Sequence, residues 1–204
     1  MSAIATEGPL VDRFVPEDSA GRIAALAGFA IIGSLILWAS AKISVPFWPV
    51  PMTLQTGAVA LIAAAYGWRL GVATVVLYLF EGALGLPVFT GTPERGIGLP
   101  YMMGPTGGFL LGFIVEAAVV GWLAERGFGR NPFKLFGAMV FGDALVFVIG
   151  FAWLAWFAAL ASGAHGIGAS AAFANGVVPF VLGDLVKLAL AAAAVAAGAR
   201  LVRR

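Results

Sequence analysis

Residues 54–84 read L-Q-T-G-A-V-A-L-I-A-A-A-Y-G-W-R-L-G-V-A-T-V-V-L-Y-L-F-E-G-A-L. This stretch decides how the chain crosses a bilayer. A spanning helix needs about 20 mostly apolar residues. Here two shorter apolar pieces, Leu54–Tyr66 and Leu70–Leu84, are separated by Gly67-Trp68-Arg69. A glycine followed by a cation in the middle of an apolar run reads as a tight turn. The stretch is therefore predicted to be a pair of short antiparallel helices.

Working outward, four more runs meet the length criterion. They are Ile23–Ala41, Gly107–Leu123 with Glu116 inside, Phe133–Leu160 with Asp143 inside, and Val177–Leu201 with Asp184 and Lys187 inside. The sum is six spans. The runs are continuous rather than alternating with period two, which excludes a β-barrel. An all-α integral membrane protein, a six-transmembrane-helix bundle, is the fold class that remains. Composition agrees: 61% of the 204 residues are hydrophobic and 11% are charged, against roughly 45–50% and 25% in soluble domains.

Six spans place both termini on one side. That side then carries Arg13, Arg22, Arg69, Arg126, Arg130, Lys134, Arg200, Arg203 and Arg204, whereas the other carries Lys42 and Arg95. Nine cations against two predict cytoplasmic termini. Residues 1–21 hold four acids and no apolar core, so they are expected to be a cytoplasmic N-terminal tail or surface helix and not a signal peptide. Residues 22–204 form the membrane domain.

Both outer connections are unusual. Lys42–Thr53 has three prolines in twelve residues, which forbids a regular helix. Gly85–Thr106 has five glycines and four prolines in 22 residues, and structureless loops of that length are uncommon unless functional. Phe47, Trp48, Phe89 and Tyr101 make the two loops apolar. They are either ordered connectors or walls folded over a cavity.

Charges within the spans need partners, because a lone one costs about 2.5–3.5 kcal/mol on insertion scales. Asp184 and Lys187, three apart, share a helix face. They either staple their helix or form the polar end of a ligand pocket. Counting from Gly176, they are expected roughly 12–17 Å below the outer helix end. Asp143 and Glu116 are expected to pair on the cytoplasmic side or to be held neutral by burial. Gln55, beside Thr53 and Thr56, faces either the interface or the pocket.

Several functions are excluded. There is no cysteine and one histidine, so no Cys- or His-based metal site is expected. None of the three lysines follows a glycine, which removes the P-loop and direct ATP binding. The net charge of +2 gives no footprint for nucleic acid. Asp143 and Asp184 follow Gly142 and Gly183, but the G-x-G-D pattern of intramembrane aspartyl proteases has Val140 and Val181 at its first position. No enzymatic activity and no cofactor is expected. A stand-alone secondary carrier for a small carboxylic acid, with Asp143 or Glu116 relaying protons, is the alternative reading.

Four separated motifs, P-V-P-M-T-L-Q-T at 49–56, G-A-L-G-L-P-V-F at 82–89, G-P-T-G-G-F at 104–109 and D-x-x-K at 184–187, resemble hallmark stretches of the BioY family. The resemblance spans roughly residues 20–200. It implies a biotin-specific S-component of energy-coupling-factor (ECF) transporters, resident in the bacterial plasma membrane. Such a chain binds biotin from the outer face and works with a transmembrane scaffold protein and ATPase subunits. The resemblance implies that Asp184 and Lys187 meet the ureido ring and Arg95 the carboxylate. Gln55, Tyr101, Phe89 and Trp48 complete the expected site. The scaffold contact is expected on the first helix, at the small residues Ala20, Ala24 and Gly28.

Overall fold

Gly67 sets the architecture. Its backbone stands at φ 77°, ψ 174°, a conformation open essentially to glycine. Helix α2 (Gln55–Ala83) is broken there into two arms, residues 55–66 and 68–83. The arms double back on one another. A Cβ built on Gly71 would lie 3.1 Å from the Ala63 Cα. Gln55 Nε2 donates to the Tyr78 hydroxyl at 2.9 Å, although a straight helix would hold those residues ~35 Å apart. Glu125, at the end of α4 (Gly107–Glu125), closes the turn by accepting from the Trp68 N–H at 3.0 Å.

The computed structural model describes residues 9–202. The first eight residues of the expected N-terminal tail, and Arg203 and Arg204, lie outside the described residues. Residues 10–14 form a short 3-10 helix. Helix α1 (Ser19–Lys42) follows, its first turn capped by Asp18, whose carboxylate accepts from the Gly21 N–H at 2.6 Å. Helix α5 (Pro132–Ala152) starts with proline in its first turn, and Asn131 Oδ1 accepts from the Phe133 and Lys134 N–H groups at 2.9 and 3.2 Å.

The later elements depart from the expected boundaries. Helix α5 runs into a π-helical turn, Trp153–Phe157, and the chain then reverses through a bridge pairing Ala159 with His165. The expected span Phe133–Leu160 is thus cut short. A small helix α6 (Ala169–Gly176) precedes α7 (Val181–Val202). The last span was expected from Val177, but Pro179 disfavours helical geometry at Val178, and residues 177–180 form a turn.

Among the described residues, five helical segments are long and apolar enough to cross a membrane: Ser19–Lys42, Gln55–Ala83, Gly107–Glu125, Pro132–Phe157 and Val181–Leu201. One of the five is the doubled-back α2, whose arms are ~18 and ~24 Å long. Helix α2 lies at the centre, packed on α1, α4 and α7; α4 also packs on α5, and α5 on α7. Glycine lets helices α4 and α5 approach closely, since a Cβ on Gly112 would sit 2.8 Å from the Val146 Cα. Leu37, Ile62, Val75, Tyr78, Leu135 and Leu188 fill the core. Large apolar side chains such as Ile31, Leu35, Phe80, Val148 and Leu190 face outward, as a hydrocarbon solvent requires.

Candidate ligand-binding site

At the end of the bundle away from Gly67, both irregular connections fold onto the helices. The first makes a minimal hairpin, β1 (Ser44–Val45) with β2 (Met52–Thr53), in antiparallel register Ser44 to Thr53. The second contains a one-turn helix α3 (Gly98–Met103). Hydrogen bonds hold residues 88–92 from several sides. Tyr78 donates to the Val88 carbonyl at 3.1 Å, Tyr101 to the Thr90 carbonyl at 2.9 Å, and Thr90 to the Ala41 carbonyl at 2.7 Å. The Lys42 ammonium, at the end of α1, donates to the Phe89 and Thr92 carbonyls and to the Thr92 hydroxyl at 2.9, 3.2 and 3.1 Å. The Phe89 ring stacks on Tyr101 at 5.0 Å between centroids and meets Tyr78 edge-on at 5.5 Å.

Beneath these loops lies a cavity of about 570 Å3, its open part included. Its walls come from both loops, the start of α2, α4, α5 and the start of α7. Phe89, Phe109, Phe113, Phe147 and Phe180 make it largely apolar.

The polar groups converge at one place. Asp184 is 2% exposed, pairs with the Lys187 ammonium, and accepts from the Thr56 hydroxyl at 3.0 Å. Lys187 also donates to the Thr53 carbonyl at 2.7 Å. The close approach is permitted by Gly57, where a Cβ would meet the Lys187 Cβ at 3.1 Å. The pair therefore bridges α7 to the start of α2, which is more than a staple within one helix. Because α7 starts at Val181, Asp184 stands in its first turn. The expected depth of 12–17 Å is corrected to roughly 5–9 Å for the pair. That position also places an anion at the positive end of the helix dipole.

Gln55 and Tyr101 line the cavity with Phe89, Asp184 and Lys187. Gln55 is buried, its own N–H donating to the Thr53 hydroxyl at 3.1 Å. Burial pushes the Tyr101 phenol above its usual pKa, with nearby Thr106 and the Arg95 charge opposing, so it remains a neutral hydroxyl. Arg95 does not line the main cavity. It lines an adjoining recess that shares Tyr101 and Thr106 with it. Trp48 lies outside both, 76% exposed. Its neighbours Val50 and Pro51 line the wall instead, and Phe47 packs edge-on against Phe180 at 5.9 Å. Asp143, expected to pair on the cytoplasmic side or to be held neutral by burial, is buried and lines this cavity. Spacing gives its depth on α5 but not the direction it faces, since α5 is apolar around most of its circumference.

The two ordered loops of this helical bundle thus lie over an apolar cavity with one charged corner. The BioY family profile matches residues 15–204, and the chain belongs to the BioY family. It is similar to the biotin transporter BioY of Thermotoga maritima, 38% identical over 162 residues that cover 79% of this chain and 88% of that one. The probable biotin transporter BioY of Pyrococcus horikoshii is 37% identical over 151 residues, covering 74% and 82%. These relatives are transporters, and the chain is accordingly a transport protein and not an enzyme. In fold it matches the crystal structure of an S-component for biotin from an ECF-type ABC transporter, with a TM-score of 0.74, 23% identity, and coverage of 93% of this chain and 96% of that one.

Proposed function

We propose that this chain is a biotin-binding S-component of an ECF transporter, which captures biotin at the outer face of the plasma membrane and delivers it inward with partner subunits. The observation that carries the reading is the Asp184–Lys187 corner of a largely apolar cavity beneath the two loops. A ureido ring has N–H donors for Asp184 and a carbonyl acceptor for Lys187, and charge-assisted bonds are roughly twice as strong as neutral ones. The thioether ring and aliphatic chain suit the aromatic walls. The carboxylate would reach toward Tyr101 and the Arg95 recess.

The reading includes six membrane crossings with cytoplasmic termini. The doubled-back arms of α2 supply the sixth crossing, and the asymmetry of nine cations against two supports the orientation. Energy would come from a scaffold protein and ATPase subunits, since this sequence has no P-loop. Helix α1 is the docking element we assign to the scaffold. It packs chiefly on α2, and Ala20 and Ala24 are exposed.

Two outcomes are expected. Purified, detergent-solubilised chain should bind labelled biotin saturably, with competition by unlabelled biotin and none by an unrelated vitamin. A folded, monodisperse sample that binds no biotin would remove the reading and bring the secondary-carrier alternative forward. Gly28→Leu adds a side chain where a Cβ meets nothing within 4 Å, so it should bind biotin like the parent but fail to co-purify with the scaffold. Undiminished co-purification would place the interface elsewhere.

A further inference from the structure

Two buried carboxyl groups, Glu116 and Asp143, have oxygens without a hydrogen-bond partner among the described residues, and of the two Asp143 lines the cavity. It is 5% exposed, lies on α5 two turns before Gly150 and lines the ligand cavity. Its Oδ1 has no hydrogen-bond partner among the described residues. The other carboxylate on the cavity wall is already engaged: Asp184 takes the Thr56 hydroxyl and the Lys187 ammonium. Around Asp143 the titratable groups are Glu116 from α4, which does not line the cavity, and Asp184 and Lys187 from α7, which do. None of these supplies a hydrogen bond to Oδ1. A buried acceptor with no internal donor is unfavourable in the empty protein. It becomes favourable when the molecule filling the cavity brings the donor.

We infer that Asp143 is a specificity-determining residue that accepts one of the two ureido N–H groups of the ligand, while Asp184 accepts the other. The inference rests on the biotin reading and deepens it. A cyclic urea presents two N–H donors on either flank of one carbonyl. The cavity presents carboxylates from two different helices, α5 and α7, and one ammonium. The complement is matched in number and type: two acceptors for two donors, and one donor for one acceptor. A ligand lacking one N–H leaves a carboxylate oxygen buried and unpaired, which is the strongest form of discrimination a polar pocket has. Phe109, Phe113, Val146 and Phe147 on the same cavity wall have no side-chain donor to take the place of the missing one.

The test measures equilibrium binding of biotin and of its two cyclic-carbamate analogues, in which oxygen replaces one or the other ureido N–H. The proteins are the parent, Asp143→Ala and Asp143→Val, each full length in detergent, with the melting temperature of the ligand-free form recorded. The parent is expected to reject both carbamates by at least about tenfold. Both variants should bind biotin at least about tenfold more weakly and should no longer distinguish biotin from one carbamate, while still rejecting the other. Removing an unpaired carboxyl should leave the ligand-free melting temperature unchanged or higher, the opposite of what loss of a structural residue does. Valine fills the space that alanine leaves open, so a folded variant is available if alanine is tolerated poorly. Asp143 variants that bind biotin with parent affinity, or that still reject both carbamates as the parent does, overturn the assignment. So does a general loss of affinity together with a lowered ligand-free melting temperature. A parent that binds no biotin at all instead removes the biotin reading itself.

Discussion

Lys187→Ala should weaken biotin binding by roughly 2–5 kcal/mol, and Asp184→Asn by a comparable amount. The reason lies in what each change strands. The Lys187 ammonium holds the Thr53 carbonyl and the Asp184 carboxylate together. Without it, Asp184 stays almost fully buried with the Thr56 hydroxyl alone for a donor, and the ligand carbonyl loses its cation. The asparagine variant fails differently. It keeps an acceptor for a ligand N–H but leaves the ammonium without a counter-charge. A double replacement, Asp184→Leu with Lys187→Met, separates recognition from structure. Replacing a buried ion pair by apolar residues of similar volume is often neutral or stabilising, so that variant should fold and remain unable to bind. Isothermal or radioligand titration checks all three. Parent affinity in both single variants, or recovered binding in the double variant, would show that the pair only fastens α7 to α2.

That pair was legible in the sequence because charge is conspicuous in an apolar run and i,i+3 spacing fixes a common face. Gly67 was legible for a similar reason, as an interruption in a stretch otherwise fit to continue. What sequence could not give was direction. Asp143 sits in a helix whose surroundings are apolar on nearly every side, and nothing in residues 132–152 says which side faces the cavity. The nearest signal is Gly142, where a Cβ would crowd Val120 and the Glu116 side chain. It marks the face packed on α4 and so turns the next residue toward the centre. Trp48 shows the converse limit. An aromatic among prolines looks like a pocket wall, yet the backbone between Pro46 and Pro51 presents Val50 and Pro51 inward and Trp48 outward. Depth failed where a helix start was misplaced by Pro179, and the error moved Asp184 by a full turn.

The change expected to be most damaging to the fold is Gly67→Ala, at the turn and far from the ligand. Alanine at φ 77°, ψ 174° stores about 1–3 kcal/mol of backbone strain. Its Cβ would also fall 2.5 Å from the Pro9 side chain and against the Glu125 carboxylate, which is committed to the Trp68 N–H. Crowding of that kind adds about 1–3 kcal/mol. A loss of ~2–6 kcal/mol in stability is therefore expected, a large share of the marginal stability of a domain. Gly127→Ala is the matched control. Gly127 also has positive φ, 96°, but a Cβ there meets nothing within 4 Å, so it should lower the melting temperature by clearly less. The damage at Gly67 should reach the ligand site, because the turn aligns the two arms that place Gln55 and Thr56 on one side and Tyr78 on the other. Thermal unfolding in detergent, followed by tryptophan fluorescence and by retained biotin binding, reads both effects. A Gly67→Ala protein that melts with the parent would mean that the arms are held antiparallel by their packing on α4 and α7 alone, with the glycine turn incidental to it.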